Sequence, residues 1–416
     1  MEIPQGYKKS EFGTIPEDWI EAKWGECLAT FSSGATPYRG VPSYYKGNVK
    51  WISSGELNYN VISDTIEHIS EQAVRDTNLK VHQPGTMLIA ITGLEAEGTR
   101  GRCALVGTPA TTNQSCLALN GTAKVCVEYL FEFYKMFGCS LAFKYCQGTK
   151  QQSFTADIVK KLPIIYPKTI AEQKAIAKKL SEIDELITGL GEQIEKKRQI
   201  KEGAMQQLLT GKTRLRGFDQ QWGEDFLGNH AEIYRGGSPR PIENYLTDSP
   251  SGINWVKIGD VSTNAKYIES TQERIIPEGI RHSREVHAGD FLLSNSMSFG
   301  RPYILKIDGC IHDGWLVIQN YQDTFDTEYL YYILGSSQIT QQYKAMAAGS
   351  SVLNLNKDIV QKVIVPIPPI DEQSAIAQIL SDMDDEIHQL EVERDKYALV
   401  KQGMMQELLT GKTRLV

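Results

Sequence analysis

AEQKAIAKKLSEIDELITGLGEQIEKKRQIKEGAMQQLLTGKTRL, residues 171–215, returns as DEQSAIAQILSDMDDEIHQLEVERDKYALVKQGMMQELLTGKTRL, residues 371–415. Without a gap the copies agree at 23 of 45 positions, and the last eight residues, LLTGKTRL, are identical. A period of 200 residues is too long for a solenoid. It marks a duplicated module: a variable block and then a long helix, twice over.

Each copy reads as a helix by periodicity. Ile176, Leu180, Ile183, Ile187, Leu190 and Ile194 are spaced 4, 3, 4, 3, 4, and Ile376, Leu380, Met383, Ile387 and Leu390 repeat that spacing. This is the a/d seam of a coiled coil. It slips after Ile194, and Arg394 breaks it in the second copy. Gly189, Gly191, Gly203 and Gly403 each weaken a helix by roughly 1 kcal/mol relative to Ala, so packing must hold these helices. Gly211 and Gly411 read as helix C-caps, with Lys212, Arg214, Lys412 and Arg414 beside the negative helix ends.

The 416 residues suggest two or three domains. No run of 18 apolar residues occurs, so no membrane span is expected, and the polar start does not read as a signal peptide. Seven cysteines without a CxxC pair suggest free thiols in a reducing cytoplasm. Net charge is +1 over 1–170, +2 over 171–215, −5 over 216–370 and −5 over 371–416, giving −7 for the chain. A nucleic-acid binder usually shows a basic surface. Positive groups here must be local, or a partner must supply much of the phosphate contact.

Outward from the helices, the variable blocks follow one order. In the first, strands are expected at 49–52, 59–62, 86–91, 103–107 and 161–167, with a helix over 127–145. In the second, IYRGGSPRP (233–241) stands where FSSGATP (31–37) stood. INWVKIGDV (253–261) matches VKWISSGEL, and EYLYYILGS (328–336) matches EYLFEFYKM (128–136). The scaffold repeats while loop chemistry diverges, as two readers of different ligands would require.

The motifs of catalysis are missing. LLTGKT has Gln206 and Gln406 where a P-loop needs its first glycine, and it follows a helix instead of preceding one. Glu195 and Lys197 resemble a nuclease E-x-K but lie on the coiled coil, and the histidines, His282 and His287 among them, show no metal spacing. No methyltransferase motif and no G-x-S-x-G is present. What remains are polar loops suited to base-edge and phosphate contacts. The candidates are Ser33, Thr36, Arg39, Thr92, Arg100, Arg102, Lys150 and Gln151 in the first block. In the second they are Arg235, Ser238, Arg240, Asn295, Ser296, Arg301, Ser350, Asn354 and Lys357.

The opening GYKKSEFGTIPEDW, the EQxxIAxxL that follows Pro167 and Pro368, both LLTGKTRL endings and the RLRGFDQQW junction together resemble the specificity subunit of a type I restriction–modification system. The resemblance covers essentially the whole chain. It implies an α+β protein with internal pseudo-two-fold symmetry: two similar mixed α/β target-recognition domains (1–170 and 216–370), separated by two long antiparallel helices (171–215 and 371–416) forming a coiled coil. It implies a non-catalytic chain in which each domain reads one half of a bipartite, asymmetric DNA site and the helices set the spacing. Two modification subunits would dock on the helices and methylate adenine with S-adenosylmethionine. Restriction subunits, using ATP and Mg, would join for cleavage. Leu208, Leu209, Leu408 and Leu409 lie beyond the seam and are the expected docking surface. The competing readings are a two-domain protein scaffold on a coiled coil without nucleic acid, and an enzyme with an unrecognised site.

Overall fold

The computed structural model describes residues 3–96, 98–148, 152–262, 265–295, 300–347 and 355–415. It contains two compact units, Met1–Gly191 with Glu393–Val416, and Glu192–Val392. The repeat is linear in sequence, but the units cut each long helix near its middle. Each unit holds one variable block, the first half of the helix after it and the second half of the other helix.

Both long helices run 39 residues, Ile170–Leu208 and Ile370–Leu408, or roughly 58 Å at 1.5 Å per residue. Ile176, Leu180, Ile183, Leu190 and Ile194 are buried, as are Ile376, Leu380 and Ile387. Gly211 and Gly411 follow the last turns at φ of +68° and +72°, the left-handed cap that glycine adopts without strain.

In the first unit Glu172 meets Arg414, and Asp184 meets Lys401. In the second, Glu372 meets Arg214 and Asp384 meets Lys201. Partner numbers fall as residue numbers rise, so the helix halves within each unit run antiparallel. These pairs explain the repeated Glu-Gln and the repeated Arg. The Glu172 side chain is 3% exposed and the Glu372 side chain 0%. Each takes two bonds from the arginine of the other helix's LTGKTRL. Arg214 and Arg414 therefore serve a buried carboxylate more than the helix end beside them. Gln173 accepts from Cys126 N at 2.9 Å and donates to Lys124 O and Pro167 O at 2.7 and 2.9 Å. Gln373 does the same with Asp326, Thr324 and Pro368.

The large sheets of the two variable blocks share one topology. The first has a five-stranded sheet in the order Ala29–Ser33, Cys116–Asn120, Met87–Ala90, Cys103–Val106, Asn60–Ile62. The second orders Glu232–Arg235, Trp315–Gln319, Phe291–Ser294, Pro302–Leu305, Tyr267–Ile268 in the same way. In both, the last pair is parallel and the others antiparallel. A smaller sheet stands beside each, built on Val49–Ile52 and on Ile253–Val256. Strand Met87–Ala90 is buried at every position, because both faces of its sheet are covered.

The halves differ in their small sheets, three-stranded in the first and four-stranded in the second, and at one helix of the larger layer. Val127–Tyr145 runs unbroken for 19 residues, whereas its counterpart splits into Thr327–Leu334 and Ser337–Ala347. Gly335 caps the break at the position where the first half has Lys135, whose ammonium lies 2.8 Å from Glu132 and 2.5 Å from Asp184. The second half reaches Asp384 with the Tyr332 hydroxyl instead, at 2.8 Å.

Candidate nucleic-acid interface

In each half the loop after the first strand of the large sheet lies on the corner that joins the small sheet to the large one. Gly34 and Gly236 make that approach. A Cβ on Gly34 would stand 1.8 Å from Thr112 O, and one on Gly236 would stand 2.1 Å from His312 O. Only glycine fits such contacts. Sheet register then equates the halves residue by residue: Thr112 pairs with Ile52 as Ile311 pairs with Val256. The next two residues form the corner, Asn113-Gln114 in the first half and His312-Asp313 in the second.

Thr36 and Ser238 occupy matched places and bind that corner. Thr36 Oγ1 donates to Gln114 Oε1, and Ser238 Oγ donates to Asp313 Oδ1 at 3.0 Å. Asp313 gathers more of the second half. Arg240 reaches Oδ2 at 3.3 Å and His312 Nε2 lies 2.9 Å from Oδ1. Asn295 and Arg235 donate to its backbone carbonyl at 3.0 and 3.2 Å. Burial pushes the Asp313 carboxyl up, but the Ser238 bond and the charges of His312, Arg240 and Arg235 outweigh it and hold the group below the usual carboxylate range. Four candidates from two separate loops, Arg235, Ser238, Arg240 and Asn295, thus converge on a residue that sequence reading did not single out.

Other candidates are engaged within the protein. Arg39 spends both terminal nitrogens on Glu67, at 2.7 Å each, and lies 4.1 Å from the Tyr45 ring centroid. The Arg39 bond holds the Glu67 carboxyl below its ordinary range. Arg100 donates to Leu94 O and Glu95 O at 2.8 and 3.1 Å. Arg102 donates to Asn58 and stacks near Tyr59. Thr92 forms a backbone bridge to Ser153, and Ser33 is exposed at its strand's end. Arg301 lines a cleft of about 430 Å³ with Arg198, Lys266 and Tyr331. The Lys357 ammonium lies 5.2 Å from the Tyr234 ring, which also carries Arg284 at 4.6 Å. Lys150, Gln151, Ser296, Ser350 and Asn354 lie outside the described residues.

The leucine expectation is corrected. Leu208, Leu209, Leu408 and Leu409 are 8%, 1%, 5% and 0% exposed. They pack into the cores of the two units, against Trp19 and Ile176 in the first and Leu227 and Ile376 in the second. Apolar side chains past the end of a seam have to be buried somewhere, and here the chain's own domains bury them. Among the described residues the large apolar side chains that face solvent on the long helices are Leu186, Leu399 and Val400 in one unit and Ile200, Ile370 and Val392 in the other. Among the described residues no group of His, Cys, Asp and Glu could hold a metal.

The family model described as "Type I restriction modification DNA specificity domain" matches residues 16–197 and again 220–395. The chain belongs to that family. Each match begins near a block's opening segment and ends within a long helix, so the matched module contains both the recognition block and helix surface. Two relatives come from Methanocaldococcus jannaschii. One, assigned as the MjaX specificity subunit of a type I restriction enzyme, is 26% identical over 99% of this chain and 97% of its own. The MjaVIII specificity subunit is 22% identical over 99% and 98%. The fold is shared with the solved S subunit of a type I system from M. genitalium, at a TM-score of 0.60 and 15% identity over 98% of both chains. It is also shared with a chain from a structure of type I R-M complex assembly and conformational transition. There the TM-score is 0.61 and identity 16%, over 96% of this chain and 99% of that one.

Proposed function

We propose that this protein is the non-catalytic DNA-reading subunit of a type I restriction–modification assembly, each half reading one part of a bipartite, asymmetric site. The observation that carries this reading is the corner. The frame around it is matched residue by residue between the halves, down to the glycine beneath the loop, while the polar side chains it presents differ: Tyr38 and Gln114 in one half, Arg240 and Asp313 in the other. Two copies of one reader with different exposed chemistry suit two different half-sites. The helices join the readers and set the spacing between half-sites.

Two modification subunits dock on helix surface in this proposal, through Leu186, Leu399 and Val400 in one unit and Ile200 and Val392 in the other. S-adenosylmethionine, ATP and Mg belong to the partner subunits, and action on cellular DNA places the protein in the cytoplasm. Among the described residues no helix is long and apolar enough to cross a membrane. The acidic balance of the second helix region is partly answered by pairing of Glu372 and Asp384 within the unit. The direct test is the complex assembled with its modification subunits, offered random duplex pools. Sequence-selective retardation and methylation at one bipartite motif support the reading. Binding to protein partners with no DNA selectivity would leave the two-domain scaffold.

A further inference from the structure

The brace at the second corner carries a specific assignment. Arg240 is 80% exposed at its side chain and meets Asp313 through one terminal nitrogen, at 3.3 Å. Among the described residues its Nε and other terminal nitrogen make no hydrogen bond, in contrast to Arg39, whose fork is closed by Glu67. Asp313 is itself fixed from four sides by Ser238, Asn295, Arg235 and its neighbour His312. A guanidinium tethered through one nitrogen has lost much of its rotamer freedom before any ligand arrives, and the second hydrogen of that nitrogen still forms a parallel pair with one of the free donors. Arg240 lines a cleft of about 690 Å³ with Pro239, Ile242, Leu246 and Trp255.

Comparison of the halves shows that this pair changes together. Where the second half has Arg240 and Asp313, the first has Tyr38, 75% exposed, and Gln114. A tyrosine needs no carboxylate to aim it. At these two matched positions the second half has both an arginine and an acid, and the first half has neither.

We propose that Arg240 reads a guanine in the half-site of the second domain, donating to O6 and N7 in the major groove, and that Asp313 is its positioning residue. Paired acceptors of that geometry match an arginine fork, whereas adenine and thymine each offer only one acceptor in that groove and cytosine none. This rests on the DNA-reading function proposed above.

The test uses the full chain assembled with its modification subunits, with methylated adenines mapped across a genome. Wild type should methylate one bipartite motif with an obligatory guanine in the half-site assigned to residues 216–370 by domain exchange. Arg240→Gln should relax that one column, with discrimination against other bases falling by about 5- to 150-fold, and leave the first half-site as it was. Asp313→Asn should relax the same column at an unchanged melting temperature. A purely structural role would instead weaken every column and lower the melting temperature. A uniform loss of methylation with all columns intact would mean Arg240 touches phosphate and would overturn the assignment, as would a second half-site without guanine or an unrelaxed column. If wild type methylates no bipartite motif at all, it is the DNA-reading function that fails.

Discussion

Truncating Leu409 separates packing from docking. Leu409 is fully buried in the core shared by Trp19, Ile176 and Leu180. Leu→Ala at such a site removes the transfer energy of the lost methyl groups and leaves a cavity, together about 2–5 kcal/mol. The unit it belongs to has about 200 residues, for which each kcal/mol moves the melting temperature by roughly 2–4 °C. Leu409→Ala should therefore lower the melting temperature of that unit by roughly 4–20 °C, read by circular dichroism or calorimetry. Leu399 is the control. Its side chain is 70% exposed on the helix that Leu409 follows, so Leu399→Asp should move stability by less than about 0.5 kcal/mol. Leu399→Asp should nevertheless abolish assembly with the modification subunits, measured by size exclusion with light scattering. The reasoning is refuted if Leu409→Ala melts as wild type does, or if Leu399→Asp assembles normally.

Other outcomes can be stated briefly. Arg414→Ala strips Glu172 of its partner, and an unpaired buried carboxylate costs about 3–5 kcal/mol at neutral pH, readable by urea unfolding. The same arginine bonds Asp18 and holds its carboxyl below the ordinary range. A depressed folded pKa contributes stability fully present above the unfolded value near 4 and lost as pH falls, so the gap between wild type and Arg414→Ala should narrow below about pH 4; a constant gap would exclude the Asp18 contribution. Iodoacetamide at pH 8 should modify exposed Cys139 in the native protein and spare Cys103 and Cys116, which are buried and whose thiols burial pushes far up, as peptide mass spectrometry will show. Four residues added to both helices, between Gly191 and Glu192 and between Val392 and Glu393, lengthen each by roughly 6 Å. At about 3.4 Å per base pair, the unread spacer of the methylated motif should grow by one or two base pairs, and an unchanged spacer with full activity would exclude the helices as ruler. Insertion before Leu208 is a poorer test, because it would drag Leu208 and Leu209 off their core.

Much of this protein is legible without coordinates. Periodicity and capping glycines place both long helices, which end at Leu208 and Leu408, ahead of the caps at Gly211 and Gly411 and short of the full repeat, because an a/d seam and a left-handed cap are local properties of the chain. The helix over 127–145 and strand 49–52 are read at their observed limits, since their apolar runs are bounded by polar or turn-forming residues. The break at Gly335 was less legible, because a glycine inside an apolar helical pattern is locally ambiguous.

The sequence alone also determined the duplication, the divergence of the loops and the likeness to specificity subunits, all of which are comparisons of one stretch with another. Only tertiary structure decided what those stretches touch. The glutamate of EQxxIAxxL finds its arginine 242 residues away in one unit and 158 in the other, and no window of sequence contains both. Leu409 looks like a free apolar face until the domain that covers it is seen. Asp313 lies in a run, CIHDGW, with no motif to mark it. Its importance comes from four side chains brought to it by separate loops. Pairing of residues distant along the chain is set by sheet register and helix packing, and these are properties of the folded chain as a whole.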